Sequence, residues 1–489
     1  MTTTDLSESA SLSLTDGDVH EASRPLAEAL ERFARRFPGD SEHRQPVHTV
    51  YGGAQLFKAD TPKRLGALAL RALKEYAPNP FIFARAIGLT GSEQLPESLS
   101  ESEALLESLG RDAASLRHVN EPAWLAWTIY TRVVEKLERE AVEDFRIDFE
   151  DGYGNRPDDE EDGHAAAAGK EVARGMREGT LSPFIGIRIK PLSQELMRRS
   201  IRTLDVFLTS LVQHSGGTLP GGFVVTLPKI QLPEQVTLLA DLFEALEEKL
   251  GLEAGSLRLE FMIETTQSIV NAGGGSNLPL FLESARGRAV AAHFGTYDYT
   301  ASCNITAAYQ RMDHPMCDFA RNMMQVAYAG TGLWLSDGAT NIMPIAPHRG
   351  SAEHPLNTDQ LQENRQVVHR AWRLHVDHIR HSLINAYYQG WDLNPAQLPT
   401  RYAAVYSFFI EGLEAATERL RNFIQKAGQA TLIGDVFDDA ATGQGLLNYF
   451  LRGVNCGAIT EEEALVTGLT LDELRTRSFV KIMKGRTGK

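Results

Sequence analysis

Short apolar runs alternate along the chain with longer segments that repeat apolar residues at helical spacing. The runs have the length of buried strands, and segments such as EQVTLLADLFEALEEKLG (234–251) are typical of amphipathic helices. A repeated strand, helix, strand order predicts a parallel sheet with helical crossovers. The predicted strands are VHTVYGG (47–53), FRIDFED (145–151), FIGIRIK (184–190), GFVVTLPK (222–229), RLEFMIE (258–264), AVAAHFGTYD (289–298) and GLWLSDG (332–338).

The number of these units favours a closed barrel. An eighth unit is predicted at NAYYQGWDL, after the helical segment VVHRAWRLHVDHIRHSLI. Seven or eight strand-helix units fit an α/β fold of the TIM (β/α)8 barrel type better than an open sheet. A doubly wound sheet remains the alternative.

Two helical regions break the rhythm of the strands. Residues 65–142, between the first two predicted strands, are mostly helical by pattern and predict an inserted subdomain. Beyond residue 400 no strand pattern recurs, which predicts a C-terminal helical domain at 401–489. We therefore expect a disordered polar tail at 1–22, a barrel at 23–400 and the helical domain after it.

Composition and charge narrow the classes of function. The chain of 489 residues is 43% hydrophobic, enough for a large core. Its 49 Lys and Arg against 64 Asp and Glu give a net charge of -15, which argues against nucleic acids and anionic membranes as partners. Three widely spaced cysteines and the lack of a signal-peptide or membrane-span pattern predict a cytoplasmic protein.

Charged residues collect where the predicted strands end. In a TIM barrel, the carboxyl ends of the strands carry the active-site side chains. Four carboxylates and two cations would be costly to desolvate there unless they compensate one another or bind a cation. Oxygen ligands without His or Cys favour a hard divalent ion such as Mg2+, for which we select Glu264 and Asp298. The full set is Glu150, Asp151, Arg188, Lys229, Glu264 and Asp298.

Several of these stretches resemble the malate synthases and their relatives, the citrate lyase β-subunits, malyl-CoA lyases and HpcH/HpaI aldolases. IDFEDGYGNRP is similar to the acidic strand end of that superfamily. The stretch that begins with TLPKIQLPEQV and ends with LRLEFMIETTQSI is similar to a superfamily segment made of an LPK motif, a helix and a strand that ends in IET. FGTYDYTAS resembles the malate synthase segment that supplies a second metal ligand. VFDDAATGQGLLNYFLRGV resembles the malate synthase segment that contains the catalytic base. The resemblance implies a Mg-dependent TIM barrel that makes or breaks carbon-carbon bonds.

The resemblance also implies roles for individual residues. Glu264 and Asp298 would be the ligands of Mg2+, for which Mn2+ could substitute, and Asp439 the catalytic base. The malate synthase strand reads Arg-Pro-Arg-Gly where this chain has GIRIKP, so Arg188 takes the catalytic arginine's role by strand order. An acyl-CoA partner stays open, because no motif fixes the residues that would contact coenzyme A. We also expect a homo-oligomer.

The chemistry of a 2-oxo acid such as glyoxylate or pyruvate suits these residue types. Such an acid can chelate Mg2+, Asp439 would remove an α-proton from a second substrate, and Arg188 would stabilise the resulting enolate. Asp439 would need partial desolvation to act as a base, supplied when the C-terminal domain closes over the barrel. The alternative function is a catalytically silent barrel that binds metabolites or regulates.

Each residue also has a structural alternative. Glu150 and Asp151 would bind substrate, metal-bound water or Lys229, or simply cap a loop. Lys229 is a substrate-binding residue that pairs with a carboxylate, with a Schiff-base lysine as the less favoured alternative. Asp439 stands before a helical run, where it would also serve as an N-cap.

Overall fold

A computed structural model of the chain describes residues 13–39, 43–425, 431–433, 436–438 and 440–487. Eight parallel strands close into a barrel, each pairing with the next in chain order and the last returning to the first. The predicted TIM barrel is therefore confirmed, and the doubly wound sheet is excluded. The strands are β1 His48–Gly53, β2 Asp144–Asp148, β3 Phe184–Arg188, β4 Phe223–Leu227, β5 Arg258–Ile263, β6 Ala289–Phe294, β7 Trp334–Ala339 and β8 Gln389–Asp392.

The strands form where the apolar runs predicted them because a parallel barrel buries both faces of its sheet. All five residues of β2 and of β4 are buried. Strand β4 (FVVTL) is a nearly continuous apolar run, whereas β2 (DFRID) alternates charged and apolar residues and buries its charges in ion pairs. The register pairs the last residue of β2, Asp148, with the last residue of β3, Arg188. Residues that follow these strands consequently meet at one end of the barrel.

Helices surround the barrel and continue beyond it. Four helices, α2 to α5, lie between β1 and β2 and form the predicted helical insertion, and α14 to α19 form the helical C-terminal part. The bounds are α1 Asp16–Arg36, α2 Thr61–Tyr76, α3 Pro80–Ile87, α4 Leu99–Leu116, α5 Glu121–Glu140, α6 Asp158–Glu178, α7 Met197–Ser215, α8 Pro233–Leu250, α9 Thr266–Ile269, α10 Leu278–Ser284, α11 Thr296–Ser302, α12 Pro315–Tyr328, α13 Thr358–Ile384, α14 Leu398–Glu411, α15 Leu413–Gln425, α16 Ala440–Asn455, α17 Glu461–Leu465, α18 Leu471–Arg475 and α19 Phe479–Thr487.

The amino-terminal segment differs from its prediction. The polar sequence predicts a disordered tail over 1–22, but α1 begins at Asp16. A capping box supports this start, since Thr15 accepts a hydrogen bond from the backbone N–H of Asp18 and the Asp18 side chain accepts one from the backbone of Thr15. Residues 1–12 lie outside the described residues.

The C-terminal part also contains a feature that the pattern missed. Strands β9 Thr431–Ile433 and β10 Val436–Asp438 pair antiparallel, although no strand was expected beyond residue 400. Segments of three residues are too short to show a period. Helix α14 is buried along nearly its whole length and packs against α5 and α13. The division of the chain into domains at residues 22 and 400 stays a prediction.

None of the helices in the described part of the chain is long and apolar enough to cross a membrane.

Candidate active site

Six of the seven predicted site residues meet at the carboxyl end of the barrel, where ion pairs and hydrogen bonds connect them. They stand at or just after the ends of five neighbouring strands, β2 to β6, and Asp298 lies in the first turn of α11. The seventh, Asp439, lies outside the described residues. The six are Glu150, Asp151, Arg188, Lys229, Glu264 and Asp298.

Arg188 is fully buried and fixed by Asp148. Its Nε donates to Asp148 Oδ1 at 2.8 Å and its Nη2 to Oδ2 at 2.5 Å, a two-bond pairing that sets the plane of the guanidinium. Burial alone would raise the pKa of Asp148, but Arg188 and backbone N–H donors lower it. The carboxylate therefore stays ionised and holds the arginine in place.

The third nitrogen of Arg188 faces the site. Nη1 lies 2.9 Å from Glu150 Oε2 and 3.9 Å from Asp151 Oδ2, yet neither Nη1 nor Glu150 Oε2 has a hydrogen-bond partner of good geometry. The guanidinium carbon also lies 4.8 Å from the ring centre of Tyr51 and 5.4 Å from that of Trp391. Two aromatic rings thus form one wall of the arginine's pocket.

Lys229 stands among the carboxylates. Its Nζ contacts Glu150 Oε1 and lies 3.4 Å from Asp151 Oδ1 and 3.6 Å from Asp298 Oδ2. Burial alone would lower the pKa of Lys229, but Glu264 and Glu150 raise it above its usual value. The amine is therefore protonated, which favours the ion-pair interpretation over a Schiff-base nucleophile, since that nucleophile must be neutral.

Glu264 is buried directly after β5. Its Oε1 accepts a hydrogen bond of 2.8 Å from the backbone N–H of Lys229, which adopts a left-handed conformation with φ of 50°. Gly295 gives it room, because a Cβ on that residue would lie 2.5 Å from Glu264 Oε2. Burial and the charge of Glu150 raise the pKa of Glu264 well above its usual range, against the opposing effect of Lys229.

The balance of charge in the site suits a divalent cation. Among the described residues, five carboxylates, counting Asp148, surround the two cations Arg188 and Lys229, and burial raises the pKa of Glu150 as well as that of Glu264. Crowded carboxylates with raised pKa values lack compensating positive charge. Within the described residues, no three His, Cys, Asp or Glu side chains converge to hold a metal. Mg2+ needs only one or two protein carboxylates, so Glu264 and Asp298 fit it.

A buried polar network supports the aromatic wall from below. The hydroxyl of Tyr51 lies 3.1 Å from His293 Nδ1, and His293 Nε2 lies 2.9 Å from Glu260 Oε2. Arg146 in turn donates to both oxygens of Glu260. Burial alone would raise the pKa of Glu260, but Arg146 and His293 lower it. This network fixes the Tyr51 ring, on which Arg188 rests.

Sequence reasoning missed three residues of the site. Asp148 stands out in the sequence only as a strand-end carboxylate, and the signal for its role is the register that pairs it with Arg188. Tyr51 and Trp391 come from the first and last strands, which meet because β1 pairs with β8. Barrel closure brings them together, so no local motif could have indicated them.

Three solved structures are similar to this chain. A citrate lyase from Burkholderia xenovorans LB400 is 18% identical, with a TM-score of 0.51 over 70% of this chain and 92% of its own. CitE from Mycobacterium tuberculosis, in complex with magnesium, acetoacetate and coenzyme A, is 13% identical (TM-score 0.44; 85% and 100% covered). The Haloferax volcanii malate synthase magnesium/glyoxylate complex is 14% identical (0.42; 90% and 98%).

At 18% identity the likeness to the citrate lyase establishes the fold and not the reaction. No curated protein matches the sequence significantly. Residues 26–482 match a family described as a domain of unknown function, DUF6986. Since this match spans the barrel, its insertion and most of the C-terminal helices, the chain belongs to the DUF6986 family.

Proposed function

We propose that this protein is a Mg-dependent lyase or synthase that forms or breaks a carbon-carbon bond in a 2-oxo acid such as glyoxylate or pyruvate. The observation that carries the proposal is the excess of carboxylates, three of them buried, around Arg188 and Lys229 at the carboxyl end of the barrel. An excess of negative charge favours binding of a divalent cation, and a 2-oxo acid can bind such a cation through two oxygen atoms. An acyl-CoA is the proposed second substrate of a condensing reaction.

The metal would be held by Glu264 and Asp298 and would polarise the keto carbonyl of the 2-oxo acid as a Lewis acid. Asp298 suits exchange of ligands because its side chain is 42% exposed, whereas Glu264 is buried and fixed by the backbone of Lys229. One rigid and one accessible carboxylate leave room for water and substrate.

Arg188 would stabilise the enolate that forms when the second substrate loses its α-proton. Its Nε and Nη2 are committed to Asp148, and Nη1 is the donor directed at the site. A charge-assisted hydrogen bond from a buried, fixed guanidinium is strong where the developing charge cannot be solvated by water. Binding Asp148 in this way keeps the donor oriented before the substrate arrives.

The remaining residues divide between binding and proton transfer. Lys229 would attract the carboxylate of the 2-oxo acid, and Glu150 and Asp151 hold its ammonium group in position. Asp439 is the proposed base, which takes the α-proton in condensation and returns it in cleavage. On this proposal the segment before α16 would take part in the reaction.

The test is an assay with glyoxylate or pyruvate, each with and without acetyl-CoA, in the presence and absence of Mg2+. Thiol release and consumption of the oxo acid are followed for the wild type and for Asp439→Asn and Glu264→Gln. Thiol release that needs glyoxylate indicates malate synthase-type chemistry, and oxo-acid turnover without CoA indicates an aldolase. Both variants are expected to lose turnover.

Metal binding separates the two variants and needs no substrate. Calorimetric titration with Mg2+ is expected to give binding to the wild type and to Asp439→Asn but not to Glu264→Gln. Glu283→Gln makes the same substitution on the exposed face of α10 and controls for the loss of one charge. If Mg2+ binds but none of the substrate combinations is turned over, the alternative of a catalytically silent, metabolite-binding barrel is supported instead. If Mg2+ does not bind the wild type, the enzyme proposal fails.

A further inference from the structure

Helix α1 carries an apolar stripe that nothing in the described chain covers. Val19, Leu26, Leu30 and Phe33 repeat at helical spacing, and each exposes between 51% and 61% of its surface. Among the described residues, none of α1 is buried. A row of four large apolar side chains on one exposed face indicates an interaction site more than scattered surface residues would.

Local interactions alone do not account for a helix of this length. Pro25 lies in its interior, where proline removes a backbone hydrogen bond and disfavours the helix by about 3 kcal/mol. The pair of Glu31 and Arg35, at 4.0 Å with both side chains 72% exposed, adds little. Protein helices gain most of their stability from packing an amphipathic face against other residues. We therefore expect α1 to pack against a second molecule.

The helix is attached to the barrel at the end opposite the candidate active site. The backbone N–H of Gly39 donates to the carbonyl of Gly330 at 2.8 Å, just before β7 begins. Phe37 packs near Gly330, so the connection is fixed while the helix itself stays exposed. Its stripe can therefore meet a second molecule without covering the site.

The charges of α1 select the kind of partner. The amino-terminal half of α1 has three acidic residues (Asp16, Asp18, Glu21) against Arg24, and its carboxyl-terminal half has three arginines (Arg32, Arg35, Arg36) against Glu28 and Glu31. Two such helices repel when parallel and attract when antiparallel, because each acidic half then faces a basic half. With five acidic and four basic residues, the helix does not suit an anionic membrane surface.

We propose that α1 of one copy pairs antiparallel with α1 of a second copy, so that the two apolar stripes form a shared seam about a twofold axis. The same surface then serves both copies, as a twofold interface requires. Leu26 and Leu30 lie near the middle of the helix and of the seam, and Val19 and Phe33 lie towards its ends. The proposal is independent of the reaction at the barrel.

Light scattering after size exclusion tests the pairing on the full chain. The wild type is expected to have the mass of two chains at micromolar concentration. Leu26→Gln/Leu30→Gln, which makes the stripe polar while keeping a good helix former, is expected to raise the dissociation constant about 100-fold or more. Glu28→Gln/Glu31→Gln introduces the same residue on the opposite face and is expected to remain dimeric.

Disulfide cross-linking tests the orientation. In an antiparallel pair, Leu26→Cys near the centre can bond to its own copy, whereas Val19→Cys near one end cannot reach its counterpart. The native chain is the control for Cys303, Cys317 and Cys456. Cross-linking of Leu26→Cys alone supports the proposal. A monomeric wild type, a dimer unaffected by Leu26→Gln/Leu30→Gln, or efficient cross-linking of Val19→Cys would overturn it.

Discussion

Arg188 is held by contacts that a lysine could not reproduce. The planar guanidinium makes two bonds to Asp148, rests on Tyr51 and still presents Nη1 to the site. Arg188→Lys is expected to lower kcat about 100-fold or more while Mg2+ binding changes little, because the lost donor acts on the transition state. Arg202→Lys makes the same change in an exposed ion pair and should leave kcat unaltered. A variant within threefold of the wild type would contradict the role of Arg188.

Gly295 offers a test of Glu264 that leaves the carboxylate in the chain. A Cβ at this position would lie 2.5 Å from Glu264 Oε2 and 2.6 Å from its Cβ, so Gly295→Ala must displace the side chain. We expect Mg2+ affinity to fall at least about tenfold, measured by calorimetric titration. Gly163→Ala in α6 meets no atom within 4 Å and should leave affinity unchanged. Equal affinities in the two variants would argue against Glu264 as a ligand.

The site residues that sequence could predict are those that stand at a strand end beside a recognisable motif. Glu264 and Asp298 follow apolar runs, so their position needed only the direction of the strands. Tyr51 and Trp391 are 340 positions apart by residue number and meet through the pairing of β1 with β8. That contact depends on the closure of the whole sheet, which no local pattern expresses.

The same distinction holds for secondary structure. A buried parallel strand such as β4 is a nearly continuous apolar run between helices, and the recurrence of short strand-like runs between helical segments predicted all eight strands. The sequence did not predict helix α1, because its segment is polar on most of its surface and its apolar stripe packs against nothing in the described part of the chain. The hairpin of β9 and β10 escaped because each strand has only three residues.

One buried carboxylate connects the first and last strands of the barrel to two helices. Asp392, the last residue of β8, lies 3.0 Å from Nδ1 of His48 in β1 and 3.1 Å from Nε2 of His375 in α13, and it accepts from Arg401 Nη2 in α14 at 2.8 Å. The backbone N–H of Glu143 donates to His48 Nε2, which holds the ring with Nδ1 beside Asp392. The seam between β1 and β8 thus depends on a charged cluster.

Asp392→Asn is expected to destabilise the fold by about 3–5 kcal/mol at pH 7, because it leaves Arg401 buried without a counter-charge. Burial alone would raise the pKa of Asp392, but Arg401 and the two histidines lower it well below its usual value. The stabilisation is therefore complete above the unfolded pKa of about 3.9 and is lost as pH falls towards the folded pKa. Urea unfolding should show a difference about 1 kcal/mol smaller at pH 3 than at pH 7.

Asp377→Asn is the matched control for the seam, since Asp377 forms an exposed pair with Arg373 on α13. It should change the free energy of unfolding by less than about 1 kcal/mol at either pH. If it destabilises the protein as much as Asp392→Asn does, the effect belongs to α13 in general and not to the charged cluster.

The C-terminal helices are anchored to the rest of the molecule at both the insertion and the barrel. Arg132 of α5 donates to the carbonyl of Ala458 and pairs with Glu463 of α17 at 3.1 Å. Arg452 of α16 donates to Gln45, which precedes β1, at 2.8 Å. Helices α16 and α17 thus hold the insertion and the barrel partly through polar contacts, so we expect α16 to α18 to open more readily than the barrel strands.

Arg132→Ala removes the anchor on the insertion and leaves the Ala458 carbonyl without that donor. We expect faster amide hydrogen exchange in α16 to α18 and unchanged exchange in the barrel strands. Arg111→Ala, in an exposed pair on α4, should change neither. If Asp439, the residue before α16, supplies the base, Arg132→Ala should also lower kcat while Mg2+ affinity stays constant. Faster exchange without a fall in kcat would separate the C-terminal helices from the reaction and leave the base to be found within the barrel.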